Sequence, residues 1–445
     1  MTSATVRNSL LQMVVLGAAL CAVLAGQRAR AGASRSDRVT TDKTGQFSTT
    51  AGSHLRVAAD QGDIRISTGS DSQVSYRVHL ETEADDSNAQ QILNAFVLEA
   101  RNDEDGVVLV CRSPHLRWGH HLSVTISVSV PHNYNMDLTT EGGNIQVGDV
   151  QGRVSVATDG GNISAGQIEG PARLITDGGN ILAKNVGGDL TAQTGGGDIT
   201  VGSVAGEAIL RTGGGHIRAA SIAGAGRLDT GGGNISLEHA GAGLVVSTGG
   251  GEIDVGEASG LIRARTGGGG IRVVKSSGPT ELETGAGSVY LMQVQNAVRA
   301  STGAGGITAW FGPDAKLSSD CRLAAGEGDI VVYLPKELAV TVDARVELGG
   351  DHRVVIDPAF PLKVTYGEPD EGSQVVRAEG ALNGGGATLV LRTVSGNIRL
   401  VLNDAAREKE QMDQLRQQME EMQRQLEMNL MKIQIPQPPQ PPDQP

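Results

Sequence analysis

Carboxylates and histidines recur at fixed places in a strictly periodic stretch of this sequence. The phrase T-x-x-G-x-[IV] begins at Thr140, Thr158, Thr176, Thr194, Thr212, Thr230, Thr248, Thr266, Thr284 and Thr302, eighteen residues apart without a slip. Acid–base attack on a sugar polymer needs carboxylates converging on one face, often with a base or calcium beside them. Asp159 and Asp177 share the second position of the repeat. Asp198 and Glu252 share the fifth, with two copies between them. Adjacent copies therefore present no converging acid pair, and solvated turn carboxylates account for these residues. Calcium-binding rolls carry G-G-x-G-x-D twice in eighteen residues. Here the second half of the repeat has a lone glycine, and most copies lack aspartate.

His115, His120 and His121 lie near Trp118, but no cysteine or carboxylate stands at metal-ligand spacing from them. A serine elbow, a phosphate loop and HExxH are all missing. Gly267 to Gly270 are followed by neither a Lys-Ser/Thr pair nor a helix. The sequence thus assigns no catalytic, cofactor-binding or metal-ligating residue. Trp118, Trp310 and Phe311 are the aromatics that could stack on a sugar.

The elements that position these side chains follow from the repeat. A strict period without insertions makes each copy one structural unit stacked on the next. Position six, counted from the Thr, is Ile or Val throughout, from Ile145 to Ile307. Position eight is small or aliphatic, and the residue between is mostly polar, as in Gln146, Ser164 and Arg218. Alternation with period two marks a strand with one buried face. A second strand covers positions fifteen to eighteen, with Arg173, Arg227, Arg263 and Arg299 pointing outward at sixteen. Glycine clusters separate the strands, supplying positive φ and close approach. The predicted fold is all-β: a parallel β-solenoid of one chain with 18-residue coils, wound right-handed, plus a C-terminal α-helix. Thr at position one, and Asn144, Asn162, Asn180 and Asn234 at position five beside Asp198, His216 and Glu252, form ladders along the stack. They are read as turn stabilisers.

Seven segments are expected. Residues 1–31 read as a secretory signal: Arg7, an apolar run from Leu10 to Leu24, and small residues at Ala29 and Ala31. Retention of the run as an anchor is the alternative. Residues 32–46 form a polar, flexible lead-in. Residues 47–139 are a β-rich approach with a short helix before a strand between Ser87 and Ala100, and with a degenerate repeat at Ala59 to Ile64. Residues 140–319 are the regular solenoid. Residues 320–403 are degenerate coils and a cap, resuming at Gly326 to Ile330 after a five-residue insertion, with a last copy at Thr393 to Ile398. Residues 404–433 form an amphipathic Met-rich helix, and 434–445 a Pro-rich tail.

Met412, Leu415, Met419, Met422 and Leu426 recur three and four apart, a short heptad seam. Self-association through this seam, or docking of the helix on the rod's open end, are the two expected uses. Cys111 and Cys321 flank the array and are read as two separate buried thiols. A net charge of −13 argues against nucleic acid as partner, because phosphate binding needs a basic face.

The run Val128-Ser129-Val130-Pro131, followed by Leu138-Thr139-Thr140-Glu141-Gly142-Gly143-Asn144-Ile145 and the repeated T-x-x-G-x-I units, resembles a widespread bacterial family. This is the "putative adhesin" family, a β-strand-repeat domain of unknown function. The resemblance covers roughly Phe47 to Leu402, implies a β-solenoid, and brings no catalytic residues or cofactors. The function expected is that of an exported, non-enzymatic structural or adhesin-like module of the periplasm or cell surface, with an envelope glycan or protein as partner. A carbohydrate-active β-helix enzyme and a self-assembling scaffold are the alternatives.

Overall fold

Alternating strands joined at glycine corners close each repeat into one coil. The computed structural model describes residues 38–69, 72–83, 88–115, 121–348, 354–356, 360–366, 374–403 and 405–433. The expected signal segment and the Pro-rich tail lie outside them. Two parallel sheets face each other across a thin core. Sheet 1 stacks the strands of positions six to eleven: Ile235–Ala240 lies between Ile217–Ile222 and Ile253–Ala258, isoleucine over isoleucine. Sheet 2 stacks positions fifteen to one, so that Leu244–Thr248 lies between Gly226–Thr230 and Ile262–Thr266. Ile217, Ile253 and Ile271 are wholly buried, as are Leu210 and Leu228 opposite them.

The threonine column does more than occupy a turn. Thr230 Oγ1 donates to the Gly215 carbonyl at 2.8 Å and accepts from the Gly233 amide at 3.3 Å, tying one coil to the last. The same pair recurs at Thr176, Thr194, Thr212, Thr248, Thr266 and Thr284. Thr230 is buried, so Thr230→Val keeps the shape but strands both partners. The expected loss is about 1–3 kcal/mol, read from denaturant midpoints. An unchanged midpoint would reduce the column to a turn preference.

Position five obeys a simple acceptor rule. From Asn144 to Asn234, the side-chain acceptor of one coil receives the backbone N–H of the same position in the next. Asn144 Oδ1 takes Asn162 N at 2.9 Å, Asp198 Oδ1 takes His216 N at 2.8 Å, and His216 Nδ1 takes Asn234 N at 3.0 Å. Asn, Asp and His share an acceptor at the γ or δ position, which is why they interchange here.

The ends depart from chain order. The coil of His54–Ala59 and Asp63–Thr68 lies between the coil of Gly106–Arg112 and Leu122–Val130 and that of Asn135–Thr140 and Ile145–Val147. Beyond it, Val97–Asn102 adds antiparallel to Gly106–Arg112, and Gln73–Glu83 adds antiparallel to Leu122–Val130. At the far end, Val340–Leu348 lies outside Thr388–Ser395, and Gln374–Leu382 and then Lys363–Tyr366 add to it antiparallel. Solenoids need such atypical terminal units, because an open parallel edge recruits other strands.

The elements outside the regular array are ordered as follows. Helix α1 (Ala89–Ala95) precedes the strand Val97–Asn102. Ile64 pairs with Ile145, and Ile398 with Ile330. The five-residue insertion appears as the register Thr302↔Ala325. One segment differs. Residues 38–48, expected to fall mostly in the flexible lead-in, form an eleven-residue strand paired antiparallel with Gln73–Glu83. Its alternation is muted because an edge strand buries little on either face, and local polarity hid it.

Candidate functional site

Both outer faces of the rod carry features beyond the repeat. On sheet 2, side chains at positions sixteen and eighteen point outward and form charge ladders from coil to coil. Arg211 Nε and Arg227 Nε both reach Asp229, at 3.4 and 2.9 Å. Arg263 Nε meets Glu281 Oε2 at 2.9 Å and Arg299 meets Oε1 at 3.7 Å, while Arg265 meets Glu283 at 3.1 Å. Exposed pairs of this kind contribute roughly 0–1 kcal/mol each. They do little for stability and leave formal charge on display.

The ladder breaks at two successive coils, where position eighteen becomes Ser301 and Ala324. The gap forms a depression of about 360 Å³ walled by Arg265, Glu283, Arg299 and Arg322. It continues into a second of about 390 Å³, reaching Arg345, Glu347, Arg392 and Val394, with Ser301, Arg322 and Ala324 common to both. Arg392 forks onto Asp343, with Nη1 to Oδ1 at 3.1 Å, and this bond holds the Asp343 carboxyl below the usual carboxylate range. Arg322 is exposed and has no carboxylate partner among the described residues. The outward role of Arg263 and Arg299 was legible from position sixteen. Arg322, Arg345 and Arg392 were not, because the insertion and the folded-back end coil put them beyond the reach of the eighteen-residue count.

On sheet 1, helix α2 (Ala405–Met431) lies along the flank of the rod, not on its end. It follows a trough whose floor is position nine, where Gly202, Ala220 and Gly256 are small. Gln418 reaches Arg272 at 3.5 Å, and the Met419 methyl lies over Gly256, where a β-carbon would overlap it. Met422 sulfur meets the Ser236 hydroxyl, and Leu426 is buried. Thus Met419, Met422 and Leu426 of the heptad seam face their own chain; the side chains of Met412 and Leu415 lie outside the described residues. Among the described residues no helix is long and apolar enough to cross a membrane.

Glu238 stands in this trough, 5 % exposed, with Oε1 lacking a hydrogen-bond partner among the described residues. Burial raises its pKa, and Glu427 of α2 adds to the rise against His239. A raised native pKa means the docked state holds a proton that a freed Glu238 releases. Docking is therefore strongest on the acid side and weakens as pH climbs through the raised value. In Glu238→Gln, α2 amides are expected to exchange several-fold more slowly than wild type at pH 7.5, with little change at pH 5. Equal wild-type protection of α2 at both pH values would refute this.

The remaining candidates resolve individually. Asp198 is engaged by the His216 amide and by Arg218 at 3.5 Å, and Asp254 by Arg272 at 3.4 Å. Asp159 and Asp177 sit in successive turns linked by a backbone bond, Asp177 N to Asp159 O. Phe311 is wholly inside the core, and Trp310, 5 % exposed, is stacked on Tyr333 at 3.5 Å between centroids. Neither offers an open sugar platform. His115 and His121 are described, whereas Trp118 and His120 lie outside the described residues. Among the described residues no three His, Cys, Asp or Glu side chains are grouped to hold a metal ion. Cys111 and Cys321 are buried and unpaired, as the sequence implied. Burial, with Asp60 nearby, pushes the Cys111 thiol up to about 12.

No curated protein matches the sequence. A solved structure from Clostridium sporogenes, described as a putative cell adhesion protein, aligns over 82% of this chain and 100% of its own at 10% identity and a TM-score of 0.15. Another from Bacteroides fragilis, described as a putative adhesin, aligns over 82% of this chain and 98% of its own at 9% identity and a TM-score of 0.17. Scores that low carry no argument about function. The Toastrack DUF4097 family model matches residues 52–277, just over half of the chain, and with the coil geometry above the protein belongs to that family of β-solenoids.

Proposed function

We propose that this protein is an exported, non-enzymatic binding rod of the bacterial envelope, presenting the outer face of sheet 2 to a surface component. One observation carries the reading: the most faithfully repeated polar side chains are used up inside the rod, while charge is displayed outward where the repeat varies. Thr and Asn columns satisfy backbone groups between coils. Asp198 and Asp254 are engaged by arginines or amides, and Asp229 and Glu281 are each shared between two arginines, an arrangement that suits recognition better than acid–base chemistry. The N-terminal apolar run supports export. The atypical antiparallel strands at both ends favour a discrete rod over an end-to-end polymer.

Fractionation of cells carrying a C-terminally tagged chain, combined with sedimentation of the purified rod with isolated envelopes, tests this. Envelope location and saturable binding are expected. A cytoplasmic chain that ignores envelopes would end the proposal.

A further inference from the structure

The broken ladder on sheet 2 is a built cleft, and its chemistry identifies what fits it. The floor is Ser301 and Ala324, on neighbouring strands about 4.8 Å apart. Arg299 and Arg322 stand beside this floor on the same two strands, paired at the Cα level. Arg265 bounds the cleft on one side; Arg392 and Arg345, themselves paired, bound it on the other. Most of these cations are matched: Arg265 by Glu283, Arg392 by Asp343, Arg345 by Glu347, and Arg299 at 3.7 Å by a Glu281 already closer to Arg263. Arg322, at the centre and common to both depressions, is the cation left over. A positive centre on a chain of net charge −13 is a local inversion of the molecule's field.

We propose that this cleft binds an extended acidic polysaccharide along the rod axis, with Arg322 as the principal anion contact and Arg299 as the second. An arginine fork matches a carboxylate or sulfate with two parallel N–H···O bonds, and a guanidinium gives up hydration more readily than an ammonium. The small floor leaves room for sugar rings between the charged walls. Val394, 54 % exposed at the rim, offers an apolar edge for a ring's C–H face. Glu281, Glu283 and Glu347 hold the arginines upright and repel chains of very high charge density, which selects spaced charges over a continuous polyphosphate. The site deepens the adhesin reading and rests on it for its biological setting.

The test is binding of the full chain to polygalacturonate (carboxylates), dextran sulfate (sulfates), neutral dextran and duplex DNA, in low and physiological salt. Salt-sensitive binding to polygalacturonate or dextran sulfate is expected, with none to neutral dextran. Whichever probe binds more tightly identifies the anion. Arg322→Ala should weaken it at least tenfold and Arg299→Ala/Arg322→Ala further. Arg173→Ala, on an earlier coil of the same face, should leave it unchanged. Circular dichroism of each variant guards against misfolding. Binding to neither polysaccharide, binding indifferent to Arg322, or Arg322-dependent binding to DNA alone each overturns the site. Envelope sedimentation of Arg322→Ala separates the two readings: undiminished envelope binding with no polysaccharide binding removes the cleft and leaves the adhesin-like rod standing.

Discussion

Gly233→Ala is expected to destabilise the rod by about 3 kcal/mol or more, while Gly232→Ala, one residue earlier, should change stability by less than about 0.5 kcal/mol. The two glycines belong to the same cluster and differ in what surrounds them. A β-carbon on Gly233 would overlap the carbonyl group of Gly215 in the preceding coil, and backbone cannot swing aside as a side chain can. A β-carbon on Gly232 would meet nothing within 4 Å, and the same is true at Gly196, Gly214 and Gly250. Neither Gly232 nor Gly233 adopts positive φ. The demand at Gly233 is therefore for space between stacked backbones. Urea midpoints of the two variants decide the matter, and similar losses at both positions would refute close coil approach as the reason for the glycine.

Ile253→Ala should cost about 2–5 kcal/mol, and should change the shape of the unfolding curve as well as its midpoint. Ile253 is wholly buried between Ile235 and Ile271, in a core to which each sheet contributes a single layer of side chains. Such a core has little slack with which to fill a cavity. Each coil contacts only its neighbours, so stability is close to a sum of coil and interface terms. A defect in the middle coil weakens two interfaces at once. The N-terminal and C-terminal halves are then expected to melt separately, visible as two steps in calorimetry where the parent shows one. A small uniform shift with a single step would mean that the rod unfolds as one cooperative block.

The repeat made the coil legible because the position-six isoleucines and the stacked threonines obey one local rule ten times over. The acceptor rule at position five could also have been inferred, since Asn, Asp and His share little else. Three things lay beyond local pattern. The strand Arg38–Ser48 looks like a linker because it is itself the edge strand of the cap, paired among the described residues only with Gln73–Glu83, and its alternation is weak. The order of the end coils is set by long-range pairing that no window of sequence contains. The cleft depends on Arg322 and Arg392 arriving beside Ser301 and Ala324 through an insertion and a folded-back coil. The heptad seam was visible, but not its partner: the trough on sheet 1 exists because position nine is glycine or alanine at Gly202, Ala220 and Gly256.

The out-of-order closure at both ends has a consequence for how such genes change. The out-of-order strands are confined to the two caps, and the span between them is made of eighteen-residue lengths, with one register shift between Leu291 and Val294. Duplicating or deleting one length lengthens or shortens the molecule by a single strand spacing, about 4.8 Å, and leaves both caps intact, although a change beneath α2 alters its trough. Rod length is thus a quantity that unequal recombination can adjust in fixed increments, as the notches of a ruler are added or removed.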